Sequence, residues 1–340
     1  MTGPTPAVPT LEEVARRAGV SRATVSRVIN DSPKVSPQAR TAVLEAVAEL
    51  QYVPNQVARS LVRRRTDTLA LVLSEPDTRL FSDPYFAGIV RGVSAALADT
   101  ERNLVLLTAR DRREQEKVGR YVMQGHVDGV IFMSLHREDV LPGILERTGV
   151  PVVLSGRPLD SRPSAYVDAD NVGGGCTATE HLLALGRRVV GTVTGPADMV
   201  AGIDRHAGYR AALEGAGLPL RAELVEAGDF TEGGGRRATE ALLARVPDLD
   251  ALFVASDPMA VGALAALRAA GRLVPGDVAV VGFDDAAVAR HCDPPLTTVA
   301  QPLAEMARLM TDLLVARIEG TAGPDERRVV RTTLVRRESA

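Results

Sequence analysis

The chain has 340 residues, 45% of them hydrophobic and 24% charged, which suits a globular protein of two or three domains. Two cysteines without a CxxC spacing and five scattered histidines exclude a disulfide framework and a metal site of recognisable spacing, so no metal or cofactor is expected and a reducing cytoplasm is the expected compartment. Residues 1–65 carry ten basic side chains against five acidic ones, a charge of +5, while the whole chain is at −3. A basic head on an acidic body points to a polyanion as partner of the head alone, or to a solvated charged face. No apolar run reaches the roughly 18 residues that a bilayer span takes, so no membrane partner is expected. The opening "MTGPTPAVPT" has neither the basic start nor the apolar core of a secretion signal, and residues 1–9 read as a disordered lead-in.

The first element is a helix with Leu11, Val14, Ala15 and Ala18 on one face, capped by Thr10 and ended by Gly19. After a three-residue turn Ser21 caps a second helix that buries Val25, Val28 and Ile29. Two short helices joined by a glycine turn make a helix-turn-helix, or a purely structural hairpin. A third helix starts at Ser36-Pro37 and turns Val43, Val47 and Leu50 inward. The second helix exposes Arg22, Ala23, Ser26 and Arg27, a set that suits the major groove, with Arg27 able to bond guanine bidentately. Ser21 and Thr24 suit phosphates. In "YVPNQVARSLVRRR", Pro54 breaks the third helix and Asn55 caps a segment of two turns with Val57, Ala58 and Leu61 on one face. So short a helix is unstable alone in water and is expected to order only on a partner. Leu61 would then enter a minor-groove step while Arg59 and Arg63–Arg65 hold phosphates, or the segment is a plain basic linker.

These residues resemble the DNA-binding head of the lactose-repressor (LacI/GalR) family of bacterial transcription regulators, through "VSRATVSRVIN" and the hinge "PNQVARSL". The resemblance implies that Arg27 reads a base, that Arg22 and Ala23 vary with operator sequence, that Leu61 is the minor-groove lever, and that Asn30 belongs to the DNA surface with the residues already named. The head is placed at 10–53 and the hinge at 54–66.

From Leu69 the pattern alternates short apolar runs with amphipathic helices, as expected of a doubly wound α/β sheet. Strands are expected at 69–74, 103–109, 127–133, 150–155, 188–195, 222–227, 251–256 and 277–283. Helices are expected from Asp83-Pro84, near 112–124 and 138–147, and over 171–185, 204–216, 232–245, 258–270 and 302–319. "RRVVRTTLVRRE" is taken as one closing strand. Two lobes follow, the first at about 67–167 plus 300–325 and the second at about 168–299 plus 326–340. Ligands of such sheets bind beyond the carboxyl ends of strands, here in the cleft between lobes. Arg205 there could fork onto hydroxyls or a carboxylate, Asp257 and Asp284 could accept from hydroxyls, and Tyr85, Phe86 and Phe230 could stack on a ring, with Arg157 beside them. Each of these has a structural alternative, as helix cap or core.

The body resembles the same family, and with it the type I periplasmic-binding-protein fold, through "DPYFAGIVRGV", "DRHAGYRAAL", "ALFVASDPMAVGALAALRAAGRLVPGDVAVVGFDDA" and "PPLTTVAQP". The fold expected is therefore a three-helix head and hinge helix followed by a two-lobed α/β body. The resemblance implies an effector site with Arg205 and Asp284, lined by Tyr85, Phe86, Phe230 and Asp257. No nucleophile elbow or acid–base pair stands out, so an enzyme is not expected. The function expected is a regulator, a repressor, that binds a pseudo-palindromic operator as a homodimer and answers to a small molecule. A sugar is the family's usual effector, with a purine, nucleoside or sugar phosphate, or control by a co-repressor, as the alternatives.

Overall fold

The computed structural model describes residues 9–29, 32–52, 65–160 and 163–340. It divides into two compact units, 1–66 and 67–340. In the first, α1 (Leu11–Ala18) starts on a capping box in which Thr10 and Glu13 satisfy each other's backbone N–H groups. It ends at Gly19 in the left-handed region (φ 65). α2 (Arg22–Ile29) follows at once, and α3 (Pro37–Leu50) is capped by Ser36. Val14, Ala15, Val25, Val28, Val43, Ala46 and Tyr52 close the core between them. Asn30 and the hinge residues Asn55, Val57, Ala58, Arg59 and Leu61 lie outside the described residues.

The second unit carries two six-stranded sheets. The first has the order β11-β5-β4-β3-β1-β2, from β1 (Thr68–Leu73), β2 (Asn103–Thr108), β3 (Gly129–Met133), β4 (Val152–Ser155), β5 (Tyr166–Ala169) and β11 (Arg327–Val330). The second has the order β12-β10-β9-β8-β6-β7, from β6 (Val190–Thr194), β7 (Val225–Ala227), β8 (Ala251–Val254), β9 (Ala279–Asp284), β10 (Thr297–Ala300) and β12 (Thr333–Val335). All pairings are parallel except β10 with β12. Central strands such as β1 and β9 are buried almost throughout, which is why they read as unbroken apolar runs.

The helices of the first lobe are α4 (Asp77–Ser82), α5 (Pro84–Leu97), α6 (Arg112–Met123), α7 (Leu141–Glu146) and α12 (Leu303–Ile318), the last packed on α5. Those of the second are α8 (Asn171–Ala184), α9 (Val200–Gly215), α10 (Glu232–Arg245) and α11 (Asp257–Ala269). Among the described residues no helix is long and apolar enough to cross a membrane.

Three expectations change. The closing strand is two strands, β11 in the first sheet and β12 in the second, because Arg327–Val330 pairs with Tyr166–Ala169 before the chain crosses over. Residues 326–330 therefore belong to the first lobe, as does β5 up to Ala169. The stretch 77–82, read as loop, is helical, and α9 begins at Val200 rather than 204.

Candidate functional site

In the head, α2 keeps Val25 and Val28 inside, and this leaves Arg22, Ala23 and Arg27 exposed on the other side, with Thr24 and Ser26 half-buried. The Ser21 Oγ accepts from the Thr24 N–H at 3.1 Å and lies 2.9 Å from the Thr24 hydroxyl, so both side chains finish the helix start. Arg22 leans on Glu12 at 2.8 Å, an exposed pair that a stronger anion would displace at little cost. Arg27 stands out from the same face.

In the body, the carboxyl ends of the strands meet across a cleft that holds about 700 Å³ of empty space, part of it open to solvent. The first lobe lines it with Arg79, Asp83, Tyr85, Ser134, Leu135, Ser155, Gly156, Arg157 and Asp168, and the second with Asn171, Met199, Val200, Ala201, Arg205, Phe230, Ser256 and Asp284. Gln301 and Met306, after the return crossing, complete the wall. Ser134, Phe230 and Asp284 have φ of 60, 61 and 115, a region costly for residues other than glycine. Strain of this kind persists where the surroundings enforce it, and here it falls on the cavity wall.

Arg205 is 5% exposed and held by partners within the second lobe. Its Nε donates to Asn171 Oδ1 at 2.9 Å and its Nη1 to the Ala255 carbonyl at 2.6 Å. Nη1 also lies 3.3 Å from Asp284 Oδ1, and the guanidinium covers the Phe283 ring at 3.8 Å. This placement depends on α8 and α9 touching backbone to backbone. A Cβ at Gly208 would sit 2.1 Å from the Val172 carbonyl oxygen, and one at Gly175 would sit 2.3 Å from that of Arg205. Burial pushes the Asp284 carboxyl up against the opposing pull of Arg205, and Gln301 Nε2 donates to it at 2.7 Å. Burial pushes Asp168 up to about 6, although it accepts from the Arg157 N–H. The Tyr85 hydroxyl, 3.3 Å from Ser155 Oγ, is raised by burial to about 12 and stays a neutral donor.

Every cavity arginine has a carboxylate. Arg157 forks onto Asp204 with bonds of 3.1 and 2.5 Å. Arg79 pairs with the buried Glu75, is 4.0 Å from Asp83, and covers the Phe230 ring at 5.0 Å. Its Nε is buried with no partner. The site thus combines paired charges, aromatic faces and polar side chains, a set with the chemistry to take hydrogen bonds and ring stacking.

Tyr85, Arg157, Arg205, Phe230 and Asp284 are brought to this cavity, while Phe86 and Asp257 are not. Phe86 is core, because helical spacing from Pro84 turns 86, 89 and 93 inward and leaves 85 to the cleft. Asp257 is fully buried and spends its oxygens on the Thr298 hydroxyl at 2.6 Å and the Ala286 N–H at 2.7 Å, tying α11 to strand β10 and to the loop after β9. Burial and the neighbouring Asp284 both push its carboxyl up. The residues that sequence reasoning missed are Arg79, Ser134, Asp168, Asn171 and Gln301. The strand-end rule would have found Ser134 and Gln301. Arg79 lies on a helix too short to show a period, and Asp168 on a strand of four residues.

Comparison with known proteins follows the same division. Residues 10–55 match "Bacterial regulatory proteins, lacI family", and residues 179–340 match "Periplasmic binding protein-like domain". The HTH-type transcriptional regulator CelR of Thermobifida fusca is 53% identical over 333 residues, covering 97% of this chain and 98% of that protein. A solved "transcriptional regulator CelR-cellobiose complex" is 51% identical with a TM-score of 0.79, covering 98% of this chain and 100% of the other. The lac repressor dimer bound to operator and the anti-inducer ONPF is 28% identical with a TM-score of 0.86, covering 98% and 99%.

Proposed function

The chain belongs to the LacI family of bacterial regulatory proteins and is a DNA-binding transcriptional regulator, and from that premise we propose that it is a repressor whose grip on operator DNA is set by cellobiose or a closely similar neutral disaccharide in the cleft. The observation that carries the ligand is the 51% identity to a cellobiose-bound regulator over 98% of the chain. The cavity's chemistry supports it. Each arginine on its wall is already matched by Glu75, Asp204 or Asp284. A sugar phosphate or nucleotide would have to compete with these pairs, two of which, Arg79–Glu75 and Arg205–Asp284, are largely buried, at a cost that a neutral sugar does not incur.

Operator contact is assigned to α2. Arg22, Ala23 and Arg27 face the bases of the major groove, and the Ser21–Thr24 end of the helix faces phosphate. Asn30, Asn55, Val57, Ala58, Arg59 and Leu61 are assigned to the DNA surface from the sequence alone. One such helix reads few base pairs, so two copies are needed and a pseudo-palindromic site is the target. The first lobe offers a face for self-association, with Phe81 85% exposed on α4 and Leu106 49% exposed on the edge strand β2.

The test is a gel shift on the DNA flanking the protein's own coding region, titrated with cellobiose, glucose and glucose 6-phosphate. Cellobiose alone is expected to change the retarded band, and Arg205→Ala is expected to leave a band that no longer responds. A band absent with every flanking fragment would overturn the operator assignment. A response to the phosphorylated sugar alone would overturn the ligand.

A further inference from the structure

Outside the cavity lining, next to its Met199–Ala201 wall, the loops after β3 and β6 are joined through one imidazole. His136 follows β3 in the first lobe. Its Nδ1 lies 2.8 Å from Asp198 Oδ2 in the second lobe, and its Nε2 lies 3.2 Å from Glu75 Oε1 in the first. The Arg137 N–H also donates to the Asp198 carbonyl at 3.0 Å, so the two loops are tied by side chain and backbone together. Asp198 immediately precedes Met199, Val200 and Ala201, which form the cavity wall and open α9.

Both ring nitrogens face carboxylates. A neutral imidazole has one N–H and satisfies one of them, whereas an imidazolium satisfies both. We infer that His136 is a positioning residue for the effector. As an imidazolium it fastens the 198–201 wall to the first lobe and holds the ligand in, and on losing its proton it lets that wall go. The inference rests on the cleft being the effector site.

The surrounding charges agree. Glu75 is 2% exposed and is held ionised by His136, Arg79 and Ser134 against its burial. Asp139 accepts from the His136 backbone N–H at 2.8 Å. The cations nearby are Arg79, already paired with Glu75, and Arg137, next in the chain. Burial alone would lower the ring's pKa, but the bonds to Glu75 and Asp198 hold it up at about 9. With the cleft open, Asp198 is lost and only Glu75 supports the charge, so the open midpoint lies lower. The fastening is complete below the open midpoint and is lost as pH rises through about 9. Burial pushes the cavity carboxyls of Asp168 and Asp284 up to about 6, below this interval.

The experiment follows cellobiose release by stopped flow between pH 7 and 10, together with the ring titration of His136 by NMR in effector-free protein. Release from the wild type is expected to quicken by about tenfold across this interval, the equivalent of one unit of differential proton affinity. His136→Gln should release fast at every pH, and His136→Arg should release slowly at every pH. Asp198→Asn should lower the ring's midpoint. Equal release from the wild type and His136→Gln at pH 7.5, or a midpoint indifferent to Asp198→Asn, would overturn the inference. If no variant binds cellobiose, the ligand assignment fails, and the ring titration still decides the fastening.

Discussion

Replacing Gly208 by alanine tests the link between packing and sensing most directly. The new Cβ would lie 2.1 Å from the Val172 carbonyl oxygen and 2.6 Å from the Cys176 nitrogen, both backbone atoms of α8. An ordinary carbon–oxygen contact is about 3.3–3.6 Å, so α9 must back away by more than 1 Å or so, since no flexible side chain is there to yield. Overpacking of this kind costs about 1–3 kcal/mol, and the helix propensity gained from alanine returns up to about 1 kcal/mol. A net loss of about 2 kcal/mol lowers the melting temperature of a domain this size by about 4–8 °C. Arg205 sits three residues earlier on the same helix, bonded to Asn171 of α8 at 2.9 Å. Carried off by about 1 Å, that bond passes the hydrogen-bonding range. A bond to a charged group is worth about 1.5–3 kcal/mol, so cellobiose affinity should fall by about ten- to a hundredfold. Gly215→Ala is the control, because nothing stands within 4 Å of its Cβ near the end of the same helix. Calorimetric melting and titration with cellobiose give both numbers. If Gly208→Ala matches Gly215→Ala in both, the close approach of α8 and α9 does not hold the site.

Two further outcomes are expected. Arg27→Ala should cost about 1–3 kcal/mol of operator affinity and relax the preference at one base pair of each half-site, with melting of the body and cellobiose binding unchanged; fluorescence anisotropy on single-base operator variants measures it, and an unaltered preference would remove Arg27 from base reading. Cellobiose affinity should fall as pH drops from 7 to 5, because burial raises both Asp168 and Asp284 to about 6 and protonation removes acceptors of ligand hydroxyls. A carboxyl whose folded pKa is raised binds its proton more tightly when folded, so this group adds stability as pH falls. The affinity should thus weaken without a matching fall in melting temperature, and Asp168→Asn should make the acid limb shallower, leaving the part that belongs to Asp284. A limb unchanged by this substitution would take Asp168 out of ligand binding.

The three helices of the head were legible because their signals are local. Thr10, Ser21 and Ser36 each cap a helix start through their own side-chain oxygen, Gly19 and Pro37 act through backbone conformation, and Val14, Val25 and Val28 meet at helical spacing. The alternation of the body was legible for the same reason, since buried parallel strands are continuous apolar runs. What failed was non-local. Nothing in "RRVVRTTLVRRE" says that its halves pair with different sheets, because that depends on β5 and β10, over 30 residues and more away. Phe86 and Tyr85 are adjacent aromatics of equal promise until the helix from Pro84 assigns one to the core and one to the cleft. Asp257 looked like Asp284, an acid at a strand end, yet its oxygens are used up inside the lobe. Arg79 carried no signal at all, since six residues of α4 cover too little of a helical period.

One stretch of eleven residues joins these observations. Asp198 meets His136 of the first lobe, Met199 to Ala201 form the wall, Asp204 takes the fork of Arg157 from the first lobe, Arg205 anchors the second-lobe side, and Gly208 locks the helix to α8. Asp204 and Arg205 are neighbours on one rigid helix, and their side chains point to opposite lobes. A ligand that bonds to the wall therefore shifts the cross-lobe pairs, and a change in those pairs is felt by the ligand. The coupling is reciprocal, and it needs no relay longer than the first two turns of α9. A bonded helix of this length moves as a unit, so under the proposed effector site the contacts made to the ligand are coupled to those that hold the two lobes together.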